Sequence, residues 1–265
     1  MLIRIMVSLV LIPLVLGLSY YGRVPFRLFI LTVQLLAGHE LLNLIQQKRI
    51  KTFPIASAIW LTACLTVSAV FPQIPLILLG LGWMLMLTIL MVSRGETENS
   101  ITTYSAGVGA MLYILLPGWF WYQLQSEFGF FFLMVVYAGT WVPDSGAYFV
   151  GSAFGRHKIS PSISPKKSLE GLIGGAAITI LIIYGLGTWG NQRLGLDFKP
   201  WMMVLYAILI SIIGFYGDLF ESMLKRDAAV KDSSHLIPGH GGVLDRLDSF
   251  YFNIIFSYYF FMWFL

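Results

Sequence analysis

Apolar runs of about 20 residues recur along this chain, and they constrain its fold more than any other feature of the sequence. The runs cover residues 3–21, 28–46, 53–71, 74–93, 104–122, 129–154, 171–190, 201–224 and 247–265. A helix needs roughly 20 residues to cross the hydrocarbon core of a bilayer. Strands of a membrane barrel would instead show alternation over about 10 residues, which these runs lack. The sequence therefore predicts an all-α fold, a polytopic transmembrane helical bundle of about nine spans.

Composition agrees with insertion into a bilayer. Hydrophobic residues make up 57% of the 265 positions and charged residues only 11%, against about 25% in an ordinary soluble domain. We expect a single integral-membrane catalytic domain over 1–265, with N-terminal spans in 1–93 and catalytic spans and loops in 94–265. The first run lacks a convincing small-x-small cleavage site and is interpreted as a retained span rather than a signal peptide. The single cysteine, Cys64, is expected to be a packing residue.

The basic residues predict how the spans are oriented. Nine spans place the N-terminus and the loops after the second, fourth, sixth and eighth spans on one side. Of the 17 lysines and arginines, 13 fall on that side and 4 on the other. Positive charge concentrates on the cytoplasmic side, so the N-terminus and the polar loops 155–170 and 225–246 are predicted to be cytoplasmic. This orientation explains the net charge of +4, which gives no reason to expect nucleic-acid binding.

Polar residues within the apolar runs are candidates for function, because a charge inside the bilayer is costly. His39 and Glu40 lie near the end of the second run, where they either reach interfacial water or contribute to the wall of a polar cavity. In the sixth run, Pro143 and Gly146 flank Asp144 and predict a broken or kinked helix. Asp144 either caps the second half of that helix or lines a polar site, and we expect the second role.

The end of the eighth run, GDLFESMLKR, carries a polar stripe. Asp218, Ser222 and Lys225 follow i, i+4, i+7 spacing, which places them on one side of a helix. They form either a salt-bridged structural stripe or part of a site that opens toward the cytoplasm. Glu221 lies one residue off the stripe and is expected to cap the helix or face water.

Two acidic residues open the ninth run. Asp245 and Asp248 are three residues apart, so both can face one site. The helix dipole also favours acidic groups at an N-terminus, which is a sufficient structural reason for Asp248. Asp245 follows HGGVL and is predicted to meet Asp218 across the helix pair. Two such carboxylates can hold Mg²⁺, which prefers oxygen ligands and keeps waters or substrate phosphates in its shell.

Basic residues surround these carboxylates in the sequence, and basic residues beside a metal are typical of a phosphate-binding site. They are Lys225, Arg226, Lys231 and Arg246. Gly241 and Gly242, which follow His240, let the backbone approach a phosphate closely with exposed N–H groups. These residue types predict an Mg-dependent site for a polyphosphate at the membrane surface.

A second basic segment, SPSISPKKSLEG, precedes the seventh run and is predicted to be extended. Lys166 and Lys167 either bind phosphate as point charges or belong to a solvated, positively charged loop. Gly171, Gly174 and Gly175 follow, and small residues at these positions predict close packing of the seventh helix.

The pattern from Ser222 to Asp248 resembles the phosphatidate cytidylyltransferase (CDP-diacylglycerol synthase) family. It reads Ser222-x-Leu224-Lys225-Arg226, four residues, Lys231-Asp232, then Ile237-Pro238-x-His240-Gly241-Gly242-Val243-x-Asp245-Arg246-Leu247-Asp248. The spacing matches the family throughout this stretch, and so long a polar pattern is specific. TWVPDSGAYFVG and SPKKSLEG also look like regions of this family.

The resemblance implies a reaction and a set of ligands. Phosphatidic acid and CTP give CDP-diacylglycerol and pyrophosphate in phospholipid biosynthesis, with Mg²⁺ required and a monovalent cation such as K⁺ able to share its centre. Asp218 and Asp245 would be the metal-binding carboxylates, while Lys225, Arg226 and Arg246 would contact phosphates. Residues expected to shape the site or assist nucleotide and pyrophosphate binding are Asp144, Lys166, Lys167, Ser222, Lys231, His240, Gly241 and Gly242. The resemblance also implies a homodimer with a polar cavity open to the cytoplasm and laterally to lipid.

Two other functions fit parts of the sequence. A CTP-dependent lipid kinase also combines many spans with CTP and a lipid, but it transfers the γ-phosphate. An ion-coupled transporter would use Asp144 and Asp218 as coupling sites, yet it needs no long HGG-type loop and would favour an internal repeat, which we do not find. The absence of a long polar N-terminal extension favours a bacterial protein of the inner (plasma) membrane.

Overall fold

The structure is a computed structural model that describes residues 2–70, 75–95 and 97–265, with side chains for all of these except 2–5, 69 and 70. Its described residues form α-helices, one π-helical turn and no strand. The α-helices are α1 Leu2–Tyr21, α2 Arg23–Gln47, α3 Pro54–Val70, α4 Leu76–Ser93, α5 Ser100–Gln123, α6 Phe130–Phe154, α7 Leu169–Leu194, α8 Pro200–Asp227 and α9 Leu244–Phe264. The π-helical turn is Leu124–Phe128. The prediction of an all-α fold is confirmed.

Each predicted apolar run coincides with one α-helix, and the helices extend beyond the runs where polar residues continue the helical backbone. The predicted end of the third run at residue 71 and the start of the fourth at residue 74 lie outside the described residues. So does Glu96 of the predicted cytoplasmic loop after the fourth run. The side chain of Arg4, counted among the cytoplasmic charges, is not described either.

Within the described ranges, five helices are long and apolar enough to cross a membrane. They are Arg23–Gln47, Leu76–Ser93, Ser100–Phe128, Leu169–Leu194 and Pro200–Asp227. Two shorter segments, Met6–Tyr21 and Pro54–Ser68, are also apolar. The chain is therefore an integral membrane protein, and the count of nine spans stays a prediction.

Local sequence explains where several helices begin and end. Pro54 and Pro200 are the first residues of α3 and α8, where the missing proline N–H has no helical partner in any case. Ser168 caps α7, and its hydroxyl accepts a hydrogen bond from the Gly171 N–H at 3.2 Å. The same helix ends at Gly195, whose backbone is left-handed.

The chain divides into two compact units. Unit 1 comprises Met1–Tyr122 and Asp227–Arg246, and it holds α1 to α5 together with the HGG segment. Its helices contact through tryptophans and small residues: Trp83 Nε1 of α4 donates to the carbonyl oxygen of Gly107 in α5 at 3.0 Å. The other unit, unit 2, comprises Gln123–Arg226 and Leu247–Leu265.

Glycines bring α6 and α7 of unit 2 into close contact. A Cβ atom placed on Gly146 would lie 2.9 Å from the Cα atom of Gly175, and one placed on Gly171 would lie 3.3 Å from the Cα atom of Gly151. Small residues let the backbones of membrane helices approach in this way. The predicted close packing of the seventh helix is thereby confirmed.

Helix α6 is continuous through Pro143, so the predicted helix break does not occur. Proline lacks an N–H group, which costs the helix one internal hydrogen bond at this position. The neighbouring helix covers the segment closely, since a Cβ atom on Gly175 would lie 2.5 Å from the Pro143 carbonyl oxygen. Packing in the unit therefore maintains helical backbone where the isolated sequence favours an interruption. Asp144 lies inside the helix and does not cap a second half.

Helices α8 and α9 also approach closely inside unit 2. A Cβ atom on Gly217 would lie 2.8 Å from the Asp248 carbonyl oxygen, and Asn253 fills the space beside Gly214. A buried hydrogen bond accompanies this packing, since Tyr206 Oη of α8 lies 2.8 Å from Ser257 Oγ of α9. Asn253 of α9 also contacts α6, where its Nδ2 donates to Thr140 Oγ1 at 3.1 Å. The polar ends of α8 and α9 in this unit are consequently fixed with respect to each other.

Candidate active site

In unit 2, the carboxylate of Asp218 is held between a hydroxyl and an ammonium group. Ser222 Oγ, one turn further along α8, donates to Asp218 Oδ1 at 3.2 Å. Lys167 Nζ lies 2.8 Å from Asp218 Oδ2. The side chains of Lys167 and Asp218 are 16% and 29% exposed, so this pair remains reachable from solvent. The structure thus brings together three of the predicted site residues.

Lys167 also ties the loop between α6 and α7 to α8. Its Nζ donates to the Phe215 carbonyl oxygen at 3.1 Å and lies 4.5 Å from the centre of the Phe215 ring. Arg226 Nε donates to the Ile163 carbonyl oxygen of the same loop at 3.4 Å. The segment was predicted to be extended, but it folds in turns: the N–H groups of Ile163 and Ser164 both donate to the Ser160 carbonyl oxygen, at 3.2 and 2.9 Å. The loop places Lys167 against α8, while Lys166 is exposed.

Glu221 and Lys225 form a second ion pair on α8, and this pair is buried. The Glu221 side chain is 0% exposed and contacts the Lys225 ammonium, four residues later. The expectation that Glu221 caps the helix or faces water is therefore wrong. Lys225 lies on the predicted stripe by spacing, but its charge pairs with Glu221, since burial of either charge alone would be costly.

Asp248, at the start of the unit 2 part of α9, is surrounded by other carboxylates. Asp144, Asp218 and Glu221 are all close enough to repel it electrostatically. Its Oδ1 accepts a hydrogen bond from the Ser249 N–H at 2.6 Å. Asp144 lies on α6 and is exposed. Its carboxylate and that of Asp218 on α8 both interact electrostatically with Asp248. From the sequence, Asp248 either faced one site with Asp245 or was favoured by the helix dipole, and its neighbours Asp144, Asp218 and Glu221 were not anticipated.

Asp245 belongs to unit 1, where it is only 6% exposed. Its Oδ2 accepts three hydrogen bonds, from the Ser233 N–H at 2.9 Å, the Ser233 hydroxyl at 2.8 Å and the Gly242 N–H at 2.8 Å. The carboxylate therefore joins Ser233 and Gly242, two residues of the segment that precedes α9, through hydrogen bonds. The Gly242 N–H, which the sequence analysis left exposed for a phosphate, is engaged inside this segment.

The HGG segment of unit 1 folds as a tight turn. The Ile237 N–H donates to the Gly241 carbonyl oxygen at 2.8 Å, and the His240 N–H donates to the Ile237 carbonyl oxygen at 2.9 Å. Gly239 and Gly241 have φ values of 74° and 82°, in the left-handed region that favours glycine. His240 Nε2 lies 3.3 Å from Ser8 Oγ of α1. Lys231 and Arg246 are exposed and face solvent.

Glu40 is the residue that sequence analysis placed least well. It is buried in unit 1, with 3% exposure, and accepts hydrogen bonds from the segment around residues 233–244. Its neighbour His39 is exposed and contacts Asn43 through Nε2 at 3.2 Å. His39 also lines a mainly apolar pocket between α2, α3 and α5, not a polar cavity. The acidic residue in an apolar run was the available signal, but its partners lie about 200 residues further along the chain.

Hard oxygen donors and exposed basic residues make these segments suited to phosphate and divalent-cation chemistry. Among residues 2–70, 75–95 and 97–265, no three His, Cys, Asp or Glu side chains are arranged to hold a metal ion by themselves. The helices and these segments define an all-α integral membrane protein with charged sites at the ends of apolar helices.

Comparison with known proteins identifies the family. The cytidylyltransferase family matches residues 2–264. A protein of Staphylococcus epidermidis named phosphatidate cytidylyltransferase is 30% identical over 251 residues, which cover 94% of this chain and 95% of the relative. A Staphylococcus haemolyticus protein of the same name is 31% identical over 252 residues, covering 94% and 95%. The chain therefore belongs to the cytidylyltransferase family.

A third relative shares a shorter but more similar region. The Haemophilus influenzae protein named phosphatidate cytidylyltransferase is 44% identical over 141 residues, which cover 53% of this chain and 49% of the relative. The matched region thus spans about half the length of that protein. Membership of the family and the extent of the staphylococcal matches make this chain a nucleotidyltransferase by class.

Proposed function

We propose that this protein is a phosphatidate cytidylyltransferase, which converts phosphatidic acid and CTP to CDP-diacylglycerol and pyrophosphate in phospholipid biosynthesis. The observation that carries the proposal is the polar pattern from Ser222 to Asp248, set between two apolar helices of a chain that matches the family over residues 2–264. Bacterial relatives of the same length carry this name. The membrane location suits a substrate whose acyl chains remain in the bilayer.

The chemistry requires two anions to approach each other. A phosphate oxygen of phosphatidic acid forms a bond to the α-phosphorus of CTP, and the bond from that phosphorus to the bridging oxygen of the β-phosphate breaks. Pyrophosphate leaves with the electron pair. The attacking oxygen is already negatively charged near pH 7, so positioning and charge neutralisation are the main demands on the protein.

Exposed basic side chains support this role. Lys166 and Arg226 of unit 2 and Lys231 and Arg246 of unit 1 are exposed and can contact phosphate groups. The Lys167 ammonium can exchange its partner Asp218 for a phosphate, since it is a point charge on a flexible side chain. His240, Gly241 and Gly242 form the turn whose Gly242 N–H donates to Asp245 Oδ2. Ser222 and Asp144 are proposed to orient groups near Asp218.

Mg²⁺ is proposed as the cofactor, held by Asp218 and Asp245, with K⁺ as an additional cation. Each carboxylate fits the role in its own unit: Asp218 already attracts the ammonium of Lys167, and Asp245 is fixed by hydrogen bonds to its Oδ2. When bound, the metal would neutralise charge on the CTP phosphates. The pairing of these two residues rests on the sequence pattern.

Membrane arrangement and assembly are proposed as well. Nine spans, a cytoplasmic N-terminus and cytoplasmic loops 155–170 and 225–246 follow from the distribution of 13 and 4 basic residues between the two sides. The bacterial relatives support a bacterial inner (plasma) membrane as the location. A polar cavity open to the cytoplasm and a homodimer follow from the family resemblance.

The function is tested with purified protein in mixed micelles containing phosphatidic acid. CTP labelled in the cytidine moiety should transfer its label into lipid when Mg²⁺ is present, with equimolar release of pyrophosphate. A cytidine label that remains soluble while the γ-phosphate enters lipid would identify a kinase and overturn the proposal. Asp245→Ala should abolish the transfer, and near wild-type turnover of that variant in Mg²⁺ would remove Asp245 from the metal role.

A further inference from the structure

Glu40 of α2 makes four hydrogen bonds to one segment of unit 1, although it is separated from that segment by about 200 residues. Its Oε1 accepts from the Ser234 hydroxyl at 2.6 Å and from the Val243 N–H at 3.0 Å. Its Oε2 accepts from the Ser233 hydroxyl at 2.8 Å and from the Leu244 N–H at 2.8 Å. Both oxygens are therefore used, and the side chain is 3% exposed.

Two of these bonds cap a helix from outside it. Leu244 is the first residue of α9, and the first N–H groups of a helix have no partner within the helix. Such groups are usually satisfied by a nearby Ser, Thr, Asp or Asn of the same chain segment. Here a carboxylate from α2 satisfies the Val243 and Leu244 N–H groups, and its negative charge is favoured by the dipole of α9.

Of the other two bonds, the one from Ser233 connects Glu40 with Asp245. Ser233 Oγ lies 2.8 Å from Glu40 Oε2 and also 2.8 Å from Asp245 Oδ2. A hydroxyl has one proton and can donate it to only one of these carboxylates at a time. The Ser233 N–H meanwhile donates to Asp245 Oδ2 at 2.9 Å. The position of the Asp245 carboxylate thus depends on Ser233, and the position of Ser233 depends on Glu40.

The two glycines of the HGG turn lie directly against these carboxylates. A Cβ atom on Gly241 would lie 2.7 Å from Asp245 Oδ2. A Cβ atom on Gly242 would overlap Ser233 Oγ and the Glu40 carboxylate. The backbone of the turn therefore packs directly against the Glu40, Ser233 and Asp245 side chains, and a Cβ atom at either glycine would displace them.

We propose that Glu40 is a positioning residue for the transfer reaction: from α2 it fixes the segment 233–244, the start of α9 and, through Ser233, the carboxylate of Asp245. Glu40 does not touch the reacting atoms in this proposal. It acts through the residues that do, which is why a residue of the second helix would affect chemistry at a motif near the C-terminal end. The inference rests on the function proposed above.

Hydrogen–deuterium exchange of the purified protein in detergent micelles tests the contact without reference to activity. Glu40→Gln preserves size but replaces one acceptor oxygen with a donor, which faces the N–H and hydroxyl donors of the segment. Peptides covering 233–244 should exchange about 10- to 100-fold faster than in the wild type, as expected for loss of hydrogen bonds to a charged group. Peptides from α6 and α7 should exchange at the wild-type rate.

Kinetics then distinguish positioning from general stabilisation. Glu40→Gln should lower kcat by about 10- to 100-fold with a smaller change in the KM for CTP, because the segment is misplaced while the exposed basic residues remain. Ser233→Ala should have an effect in the same direction, and combining the two changes should add little, since both interrupt one chain of contacts. Ser233→Ala also keeps the test available if Glu40→Gln does not fold.

The matched control is Asp227→Asn, which makes the same carboxylate-to-amide change at the end of α8, shortly before this segment. Asp227 is 67% exposed and pairs only at the surface with Lys48, so its variant should leave exchange and kcat at wild-type values. Wild-type exchange of 233–244 in Glu40→Gln would overturn the inference, as would faster exchange with unchanged kcat. A wild type without transferase activity would refute the proposed function, while the exchange comparison would still decide whether Glu40 holds the segment.

Discussion

Lys167 Nζ lies 2.8 Å from Asp218 Oδ2, so a lysine from the loop between α6 and α7 occupies a cation position beside an acidic residue of α8. The two residues are 51 positions apart in the sequence and were predicted separately, one for phosphate and one for metal. Their pairing gives Asp218 a partner when no metal is bound. The pairing also keeps the Lys167 ammonium close to the carboxylate, where it can bind a nucleotide phosphate.

Lys167→Met should reduce kcat/KM for CTP by about 10- to 100-fold, because it removes a charge-assisted hydrogen bond and the contact with the Phe215 carbonyl oxygen. Lys158→Met is the matched control, since Lys158 is an exposed lysine of the same loop. Steady-state assays in mixed micelles measure both. A Lys167→Met enzyme as active as the control would exclude a role for this lysine in the reaction.

Asp218→Asn should lower kcat by about 100-fold or more and raise the Mg²⁺ concentration needed for half-maximal activity, because the amide carries no negative charge. The shape of the side chain and the contact from Ser222 are preserved, so stability should change little. Mg²⁺ titrations of activity, with thermal melting of the same samples, provide the measurement. Unchanged Mg²⁺ dependence would show that Asp218 does not hold the metal.

Gly242→Ala should impair the HGG turn, because the added Cβ atom would overlap Ser233 Oγ and the Glu40 carboxylate. We expect a loss of about 1–3 kcal/mol of stability and a marked fall in activity. The comparison is Gly109→Ala in α5, where a Cβ atom would meet no atom within 4 Å. Melting temperature and turnover of the two variants are compared, and equal behaviour would mean that the turn has more space than the structure shows.

Gly175→Ala should destabilise the contact between α6 and α7, because its Cβ atom would lie 2.5 Å from the Pro143 carbonyl oxygen. The expected change in the free energy of unfolding is about 1–3 kcal/mol. Gly185→Ala on the same helix is the control: its Cβ atom would meet nothing within 4 Å, so the variant should be neutral or up to about 1 kcal/mol more stable through helix propensity. Unfolding in mixed denaturing micelles measures both, and a neutral Gly175→Ala would contradict the close packing.

The helices could be predicted well from the sequence. Hydrophobic length decides where a helix can cross a bilayer, and the lipid-facing backbone must bond within its own segment, so each apolar run had one possible secondary structure. Helix packing was partly predictable too, since Gly171 and Gly175 indicated a close contact before its partner was known. At Pro143 the sequence predicted a broken or kinked helix. The break does not occur, because the helix is continuous there and packs against Gly175, while a kink stays a prediction.

The candidate site was predictable as a set of residues rather than as a set of contacts. Spacing along α8 correctly related Asp218 to Ser222, four residues apart on one helical side. It could not show that Lys225 turns to Glu221, because i, i+4 partners compete and burial decides between them. Glu40 was named as a candidate, but its partners could not be predicted, since nothing close to it in sequence indicates the donors that it meets.

By itself, the sequence determined that the chain is an all-α membrane protein and that one polar stretch near its C-terminal end resembles the cytidylyltransferase pattern. Both properties are local, because hydrophobic length and residue spacing are read within a single segment. Only the tertiary structure decided that Lys167 pairs with Asp218, that Glu221 is buried with Lys225, and that Glu40 caps α9. Those contacts join residues distant along the chain, and they depend on which helix faces pack together and on which polar groups lose their water.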